Sequence, residues 1–233
     1  MFWNVFSAVK QRMLIRKNEV IFMNFEKARE EMIRHQIKGR GIRDERVLSA
    51  MRSIPREKFV LEGEEDNAYL DCPLSIGMGQ TISQPFMVAL MTQCLSLKGS
   101  ETVLEVGTGS GYQAAILSKL AKMVYTIERF KFLADRAEKI FRELEIKNVK
   151  VIVGDGSKGL EEYSPYDGII VTAGSPEIPG NLAEQLNEKG RIVIPVGNSF
   201  SQELLLGIKE KGKLKISNYG GCVFVPLVGK YGW

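Results

Sequence analysis

The sequence is poor in the residues that most hydrolases and metal sites need. It has one histidine and three cysteines. A Ser-His-Asp or Cys-His hydrolase would have to use His35, which lies in a basic predicted helix away from every motif. Cys72, Cys94 and Cys222 are widely spaced and match neither a zinc site nor a disulfide framework. We therefore expect no metal site and three reduced cysteines in a cytoplasmic protein.

Membrane and targeting signals are also missing. No apolar run is long enough to span a bilayer, and the aromatic, basic N-terminal segment has no small-residue cleavage site. The net charge is +4, with the basic excess in the first 60 residues. That excess could attract an anionic partner or lie on solvated helix faces. No basic stripe is interleaved with aromatics, so we expect no nucleic-acid partner. We also expect no membrane partner and a monomeric protein.

Short β-branched runs alternate with helical patterns after residue 99. This alternation predicts an α/β fold with a doubly wound, mostly parallel sheet. The strands are expected over 102–106, 124–127, 149–153, 168–172 and 191–196, with helices over 113–120, 132–144 and 178–186. The strand-rich end, 203–208, 214–217 and 222–228, is expected to add antiparallel edge strands.

The part before residue 99 is predicted to be a helical elaboration. Asn24 and Asp44 are suited to cap the first two helices, a third is expected over 85–97, and 62–75 is expected to be a loop. We expect residues 1–22 to form an extension outside a single domain, 23–233. That domain would combine the helical part, 23–98, with a Rossmann-like core, 99–233.

A glycine-rich loop follows the first predicted strand of the core, in LEVGTGSGY. Gly107, Gly109 and Gly111 follow a G-x-G-x-G spacing, whereas a dinucleotide loop reads G-x-G-x-x-G. Glu105 precedes them, and its carboxylate would repel a phosphate but suit a cation. The sulfonium and amino group of S-adenosylmethionine fit such a site.

Two more acids follow strands of the same sheet. Glu128 ends VYTIE, where a carboxylate can accept hydrogen bonds from ribose hydroxyls. Asp155 lies in GDG after the third strand and can accept one from an adenine amino group. Each feature alone is often a turn or a helix cap. Their joint order at the carboxyl edge of a parallel sheet favours S-adenosylmethionine.

The chain resembles the protein-L-isoaspartate O-methyltransferase family, which repairs isomerised aspartyl and asparaginyl residues. The resemblance runs from about Phe25 to Val228 and rests on PREKFV, GQTISQP, LEVGTGSGY, GDG, YDGIIVTA, PVG and FVPLV. It implies a methyltransferase sheet with an elaborated C-terminal half. It also implies S-adenosylmethionine as methyl donor, S-adenosylhomocysteine as product, and isoaspartyl-containing proteins and peptides as partners.

The resemblance also implies the site residues. Ser83 matches the active-site hydroxyl. The cofactor set would be Thr81, Ile82, Glu105, Gly107, Thr108, Gly109, Gly111, Glu128, Asp155, Gly156 and Thr172. The substrate set would be Ser83, Phe224, Val225 and Pro226, although the last three could equally pack an edge strand.

GQTISQP contains no acid, base or thiol. The α-carboxylate of an isoaspartyl residue has a pKa of about 3.5 and is ionised at neutral pH, so it needs no general base. Hydroxyls and backbone N–H groups of Thr81, Ile82 and Ser83 can orient it, and Ser83 could also cap the next helix.

VTAGSP offers no amide or carboxylate for amine methylation of bases. A methyltransferase acting on a small carboxylic acid or RNA, and a nucleotide-binding protein without catalysis, remain the alternatives.

Overall fold

A seven-stranded sheet forms the second half of the chain. The computed structural model describes residues 13–16, 19–22 and 24–233, the first two ranges as backbone strands only. The sheet strands are β5 (Thr102–Val106), β6 (Met123–Glu128), β7 (Val149–Val153), β8 (Tyr166–Val171), β9 (Leu186–Gly197), β10 (Gln202–Glu210) and β11 (Lys213–Cys222). Their order across the sheet is β11-β10-β9-β8-β5-β6-β7.

Five neighbouring strands run parallel, in the order β9, β8, β5, β6 and β7. Strands β10 and β11 add an antiparallel edge beside β9. The predicted doubly wound α/β fold with antiparallel edge strands is therefore confirmed. The chain leaves β5 toward β6 on one side and later returns to β8 on the other. The strand order thus reverses at β5. Open α/β sheets bind ligands at such a point, outside the carboxyl ends of the strands.

Helices cover the sheet and precede it. They are α1 (Phe25–Glu31), α2 (Glu45–Ser53), α3 (Pro85–Leu95), α4 (Tyr112–Ser118), α5 (Lys131–Glu143) and α6 (Gly180–Glu184). Helix α1 continues as a π-helix over Met32–Ile37 and a 3-10 turn over Lys38–Arg40. The predicted caps are confirmed, since the Asn24 side chain accepts from the Lys27 N–H and that of Asp44 from the Arg46 N–H.

Two predictions of local structure are wrong. Part of the expected loop over 62–75 and the stretch after it form an antiparallel hairpin of β3 (Leu74–Gly77) and β4 (Gln80–Ile82). These strands are too short to show a clear alternation of polar and apolar residues.

The expected strand over 222–228 is also absent from the described chain, where β11 ends at Cys222 and one isolated bridge joins Gly174 to Pro226. The Phe224 N–H donates to the side-chain oxygen of Gln202, in β10, at 2.7 Å rather than to a backbone carbonyl. Pro226 has no N–H to donate.

The core lies on both faces of the sheet. Val103 and Leu104 alternate between the two faces, as neighbours on a strand must, and belong to different buried clusters. The larger cluster also contains Ile33 and Val47 from the helical N-terminal part and Phe141 from α5. The helical part therefore packs directly on the sheet that carries the glycine loop.

The proposed extension over residues 1–22 is described only in two strands, β1 (Met13–Arg16) and β2 (Glu19–Phe22), which pair with each other. The rest of it lies outside the described residues, and the domain boundary at residue 23 stays a prediction. Among the helices that the structure describes, none has the length and apolar character needed to cross a bilayer.

Candidate active site

A cavity opens at the carboxyl end of β5, where the strand order reverses. Its empty volume is about 840 Å³, open solvent at its mouth included. It brings together most of the predicted site residues, namely Thr81, Ile82, Ser83, Gly107, Thr108, Gly109, Glu128, Gly156, Thr172, Val225 and Pro226. Glu105, Gly111, Asp155 and Phe224 do not line it. We call it the first cavity.

The glycine loop is fixed between two strands. The Gly107 N–H donates to the Ile127 carbonyl at 2.9 Å, and the Thr172 hydroxyl donates to the Gly107 carbonyl at 2.7 Å. Gly107 has a φ of 98°, and a Cβ there would lie 2.4 Å from the Thr172 hydroxyl oxygen. Any side chain at this position would therefore displace Thr172, a residue of the cavity wall.

Glu128 joins the end of β6 to this loop. One carboxylate oxygen accepts from the Gly109 N–H at 2.8 Å, and the other accepts from the Phe130 N–H at 2.9 Å. The residue is 5% exposed and lines the first cavity. Each carboxylate oxygen has more than one acceptor position, so Glu128 can hold the loop and still accept a hydrogen bond from a ligand.

Glu105 lies beneath the loop, not in the cavity. It is fully buried, and the Thr126 hydroxyl is bonded to its carboxyl group. The Thr126 hydroxyl also lies 2.7 Å from that of Thr108, which lines the cavity. The hypothesis of direct contact between Glu105 and a cation must therefore be corrected: as placed, Glu105 reaches the cavity only through two hydroxyls.

Burial raises the pKa of Glu105 to about 8; the hydrogen bond with Thr126 opposes this rise, and the charge of Glu128 adds to it. A carboxyl group in such surroundings is largely protonated at neutral pH. It then serves as a neutral support of the loop.

Asp155 faces the C-terminal segment. One oxygen accepts from the N–H and the hydroxyl of Ser157, and the other accepts from the Lys230 N–H at 3.0 Å. Partial burial raises its pKa, but these bonds from Lys230 and Ser157 outweigh burial and hold it below the ordinary value. In this placement both oxygens of Asp155 already accept hydrogen bonds, and its contact with an adenine amino group stays a prediction, while the adjacent Gly156 does line the first cavity.

Gly111 and Phe224 also lie elsewhere. A Cβ on Gly111 would come within 2.9 Å of the Phe141 ring, so glycine there serves the packing of the loop against α5. Phe224 lines a second cavity, with an empty volume of about 800 Å³ including open solvent. Its walls include Arg40, Gln84, Phe86, Met87, Leu90, Leu204 and Tyr219.

The two cavities share a wall formed by Thr81, Ser83, Thr172 and Val225. The hypothesis that Ser83 caps helix α3 is wrong, because the N-cap is Gln84 and no side chain caps the helix. Within the described part of the chain, the Ser83 hydroxyl has no hydrogen-bond partner. It is therefore available to a ligand that reaches the junction of the cavities.

Several wall residues were not singled out from the sequence. Ile127, Phe130 and Leu227 supply apolar surface to the first cavity. Their positions beside Glu128 and within FVPLV were the signals that could have identified them. Within the ranges that the structure describes, no group of three or more His, Cys, Asp or Glu residues could hold a metal ion.

The buried Glu105 carboxyl predicts a stability that depends on pH. Its folded-state pKa of about 8 lies above the ordinary 4.5, so its contribution is fully present below about pH 4.5 and is lost as pH rises through about 8. Each tenfold change in proton affinity is about 1.4 kcal/mol, so the loss is at most about 5 kcal/mol. Glu105→Gln should remove this pH dependence of stability. Urea unfolding of both proteins at pH 5 and pH 8 measures the difference, and a difference independent of pH would contradict the assignment.

Comparison with known proteins identifies the family of this chain. The profile of the protein-L-isoaspartate(D-aspartate) O-methyltransferase family matches residues 27–232. A protein-L-isoaspartate O-methyltransferase of Geobacter metallireducens is 55% identical over 212 residues, which are 91% of this chain and 98% of that protein. One of Methanoculleus marisnigri is 51% identical over 205 residues, covering 88% of this chain and 93% of that one.

Solved structures agree in fold. A protein-L-isoaspartate O-methyltransferase structure superposes with a TM-score of 0.78 and 31% identity, covering 88% of this chain and 67% of that chain. A second, described as the Plasmodium falciparum enzyme in complex with S-adenosyl-L-homocysteine, gives a TM-score of 0.75 and 28% identity, with 88% and 99% covered. With sequence and fold both matched, this chain belongs to the protein-L-isoaspartate(D-aspartate) O-methyltransferase family.

Proposed function

We propose that this chain is a repair enzyme that methylates the free α-carboxylate of L-isoaspartyl residues in damaged proteins and peptides, with Ser83 orienting that carboxylate. The methyl donor of the family is S-adenosylmethionine. The observation that carries the proposal is the wall shared by the two cavities, in which Ser83 offers a hydroxyl that no described residue engages in a hydrogen bond. We also expect a monomeric, cytoplasmic enzyme, and both statements stay predictions.

The first cavity suits the methyl donor. Glu128 has acceptor positions for ribose hydroxyls, while Ile127 and Leu227 offer apolar surface to a base. Glycine at 107 and 109 leaves the loop backbone exposed to a ligand at close range. When bound, S-adenosylmethionine supplies an electrophilic methyl group. Glu105 beneath the loop supports Thr108 through Thr126 and is not assigned a direct contact.

The second cavity suits the methyl acceptor. Its walls join apolar residues, Phe86, Leu90 and Phe224 among them, to polar ones such as Gln84 and Tyr219, a combination that fits a stretch of peptide. An isoaspartyl α-carboxylate is already anionic at neutral pH. The chain therefore has no proton to remove, and its task is to hold a carboxylate oxygen in line with the bound donor. The hydroxyls of Thr81 and Ser83 can do so without adding a competing charge.

Ser83→Ala should lower turnover and leave S-adenosylhomocysteine affinity nearly unchanged. Loss of one positioned donor costs about 2–4 kcal/mol at the transition state. Ser83→Thr keeps the hydroxyl and should retain more activity than Ser83→Ala. Steady-state kinetics and calorimetry measure the two effects, and a covalent intermediate on Ser83 would overturn this role.

Glu128→Ala should weaken S-adenosylhomocysteine binding by about 1.5–3 kcal/mol, because a charged hydrogen-bond acceptor is lost. The same substitution releases the Gly109 and Phe130 N–H groups, so the glycine loop should also become less protected from hydrogen exchange. Calorimetry gives the affinity directly. An unchanged dissociation constant would refute the assignment to the ribose.

One assay separates the proposed function from its alternatives. Labelled S-adenosylmethionine is incubated with the chain and an isoaspartyl peptide, its aspartyl isomer, a small carboxylic acid or RNA. The proposal predicts transfer to the isoaspartyl peptide and none to the isomer. Transfer only to RNA or to the small acid, or cofactor binding without any transfer, would contradict it.

A further inference from the structure

A positive charge is buried behind the shared wall without a carboxylate beside it. Arg56 is 0% exposed. Its guanidinium donates to the Ala68 carbonyl at 2.7 Å and to the Ser83 carbonyl at 2.8 Å. It also lies over the Tyr112 ring, 4.8 Å from the centroid. No ion pair involves Arg56 among the described residues, and its remaining nitrogen, Nη1, is buried without a partner.

Such an arrangement is costly, because a buried charge is normally paired. Burial lowers the pKa of Arg56, and the groups that oppose this are Tyr112, Tyr69 and Cys72, none of them a carboxylate. Arginine nevertheless stays protonated in proteins. The folded chain therefore keeps an uncompensated positive charge a short distance from Ser83.

Neighbouring Arg29 shows the contrasting case. Its guanidinium lies 3.4 Å from a carboxylate oxygen of Glu57 and donates to the Tyr69 hydroxyl at 2.9 Å. This charge is compensated within the protein. Arg29 is thus a matched control, a partly buried arginine of the same polar cluster that makes no described hydrogen bond to the Ser83 segment.

The contact with Ser83 also orients a backbone donor. In a trans peptide the carbonyl and the following N–H point in opposite directions, so the Gln84 N–H points away from Arg56. Gln84 lines the second cavity, and its N–H has no partner in the described part of the chain. A charge-assisted bond to the carbonyl polarises the whole peptide group.

We infer that Arg56 is a positioning residue that makes the acceptor site selective for a carboxylate. It acts through the Ser83–Gln84 peptide group, which it holds with the Gln84 N–H toward the second cavity, and its charge offsets that of the incoming carboxylate. This inference rests on the proposed function, because it needs the acceptor carboxylate at Ser83.

The test compares an isoaspartyl peptide with the isoasparaginyl peptide, in which a neutral amide replaces the α-carboxylate. Binding of each is measured by calorimetry in the presence of S-adenosylhomocysteine. Arg56→Gln keeps a donor but removes the charge, and should reduce the preference for the carboxylate by about tenfold, as expected for loss of a nearby charge. Arg56→Lys keeps the charge and should retain most of the preference. In kinetics, Arg56→Gln should raise KM for the isoaspartyl peptide by a similar factor.

Two controls separate charge from folding. Arg29→Gln should leave the peptide preference within about twofold of wild type, because the Arg29 charge is already paired. S-adenosylhomocysteine affinity should stay within about twofold in Arg56→Gln if the fold is intact.

An unchanged preference in a folded Arg56→Gln, with normal wild-type methylation, would overturn this inference alone. Should Arg56→Gln fail to bind S-adenosylhomocysteine, Arg56→Lys decides: loss of the preference in this variant would overturn the inference. A wild-type chain unable to methylate the isoaspartyl peptide would remove the proposed function and this inference with it.

Discussion

The reversal of strand order at β5 is the constraint on which the site depends. Because β6 and β8 both run parallel to β5, their carboxyl ends meet at one edge of the sheet. The glycine loop, Glu128 and Thr172 follow from these three strands. The hydrogen bonds from Gly109 to Glu128 and from Thr172 to Gly107 then fix the loop between its neighbours. A ligand at this edge therefore contacts a loop that hydrogen bonds hold in place.

The charged groups around the methyl-donor site differ from those around the acceptor site. The donor side keeps an ionisable acid, Glu128, in the wall and a second one, Glu105, sealed beneath it. The wall of the second cavity has hydroxyls, amides and Arg40, whose charge is paired with Asp71, and the cation of Arg56 is buried behind the shared wall. An acid near Ser83 would repel the acceptor carboxylate. A buried cation acting through a peptide group attracts it instead.

Most of the fold could be predicted because short β-branched runs alternate with helical patterns in the parallel part of the sheet, and β5 and β7 have the predicted bounds. The hairpin of β3 and β4 could not, because strands of four and three residues carry too little pattern. Glu128, expected from motif order, and Thr172, implied by the resemblance, both line the first cavity. Motif order could not show that Glu105 lies under the loop, since strand register and side-chain direction decide that. Nor could it show that Asp155 is already bonded to Lys230, 75 residues away.

The central claim is that positioning, without a general base, is enough for this reaction. The rate of methyl transfer at saturating donor and isoaspartyl peptide, followed from about pH 6 to 8, tests it most directly. The account predicts a rate that stays constant with pH. Since the pKa of Glu105 is about 8, an inflection near pH 8 that Glu105→Gln removes would belong to Glu105 and not to a general base. A histidine-like inflection that disappears in His35→Ala would contradict the account.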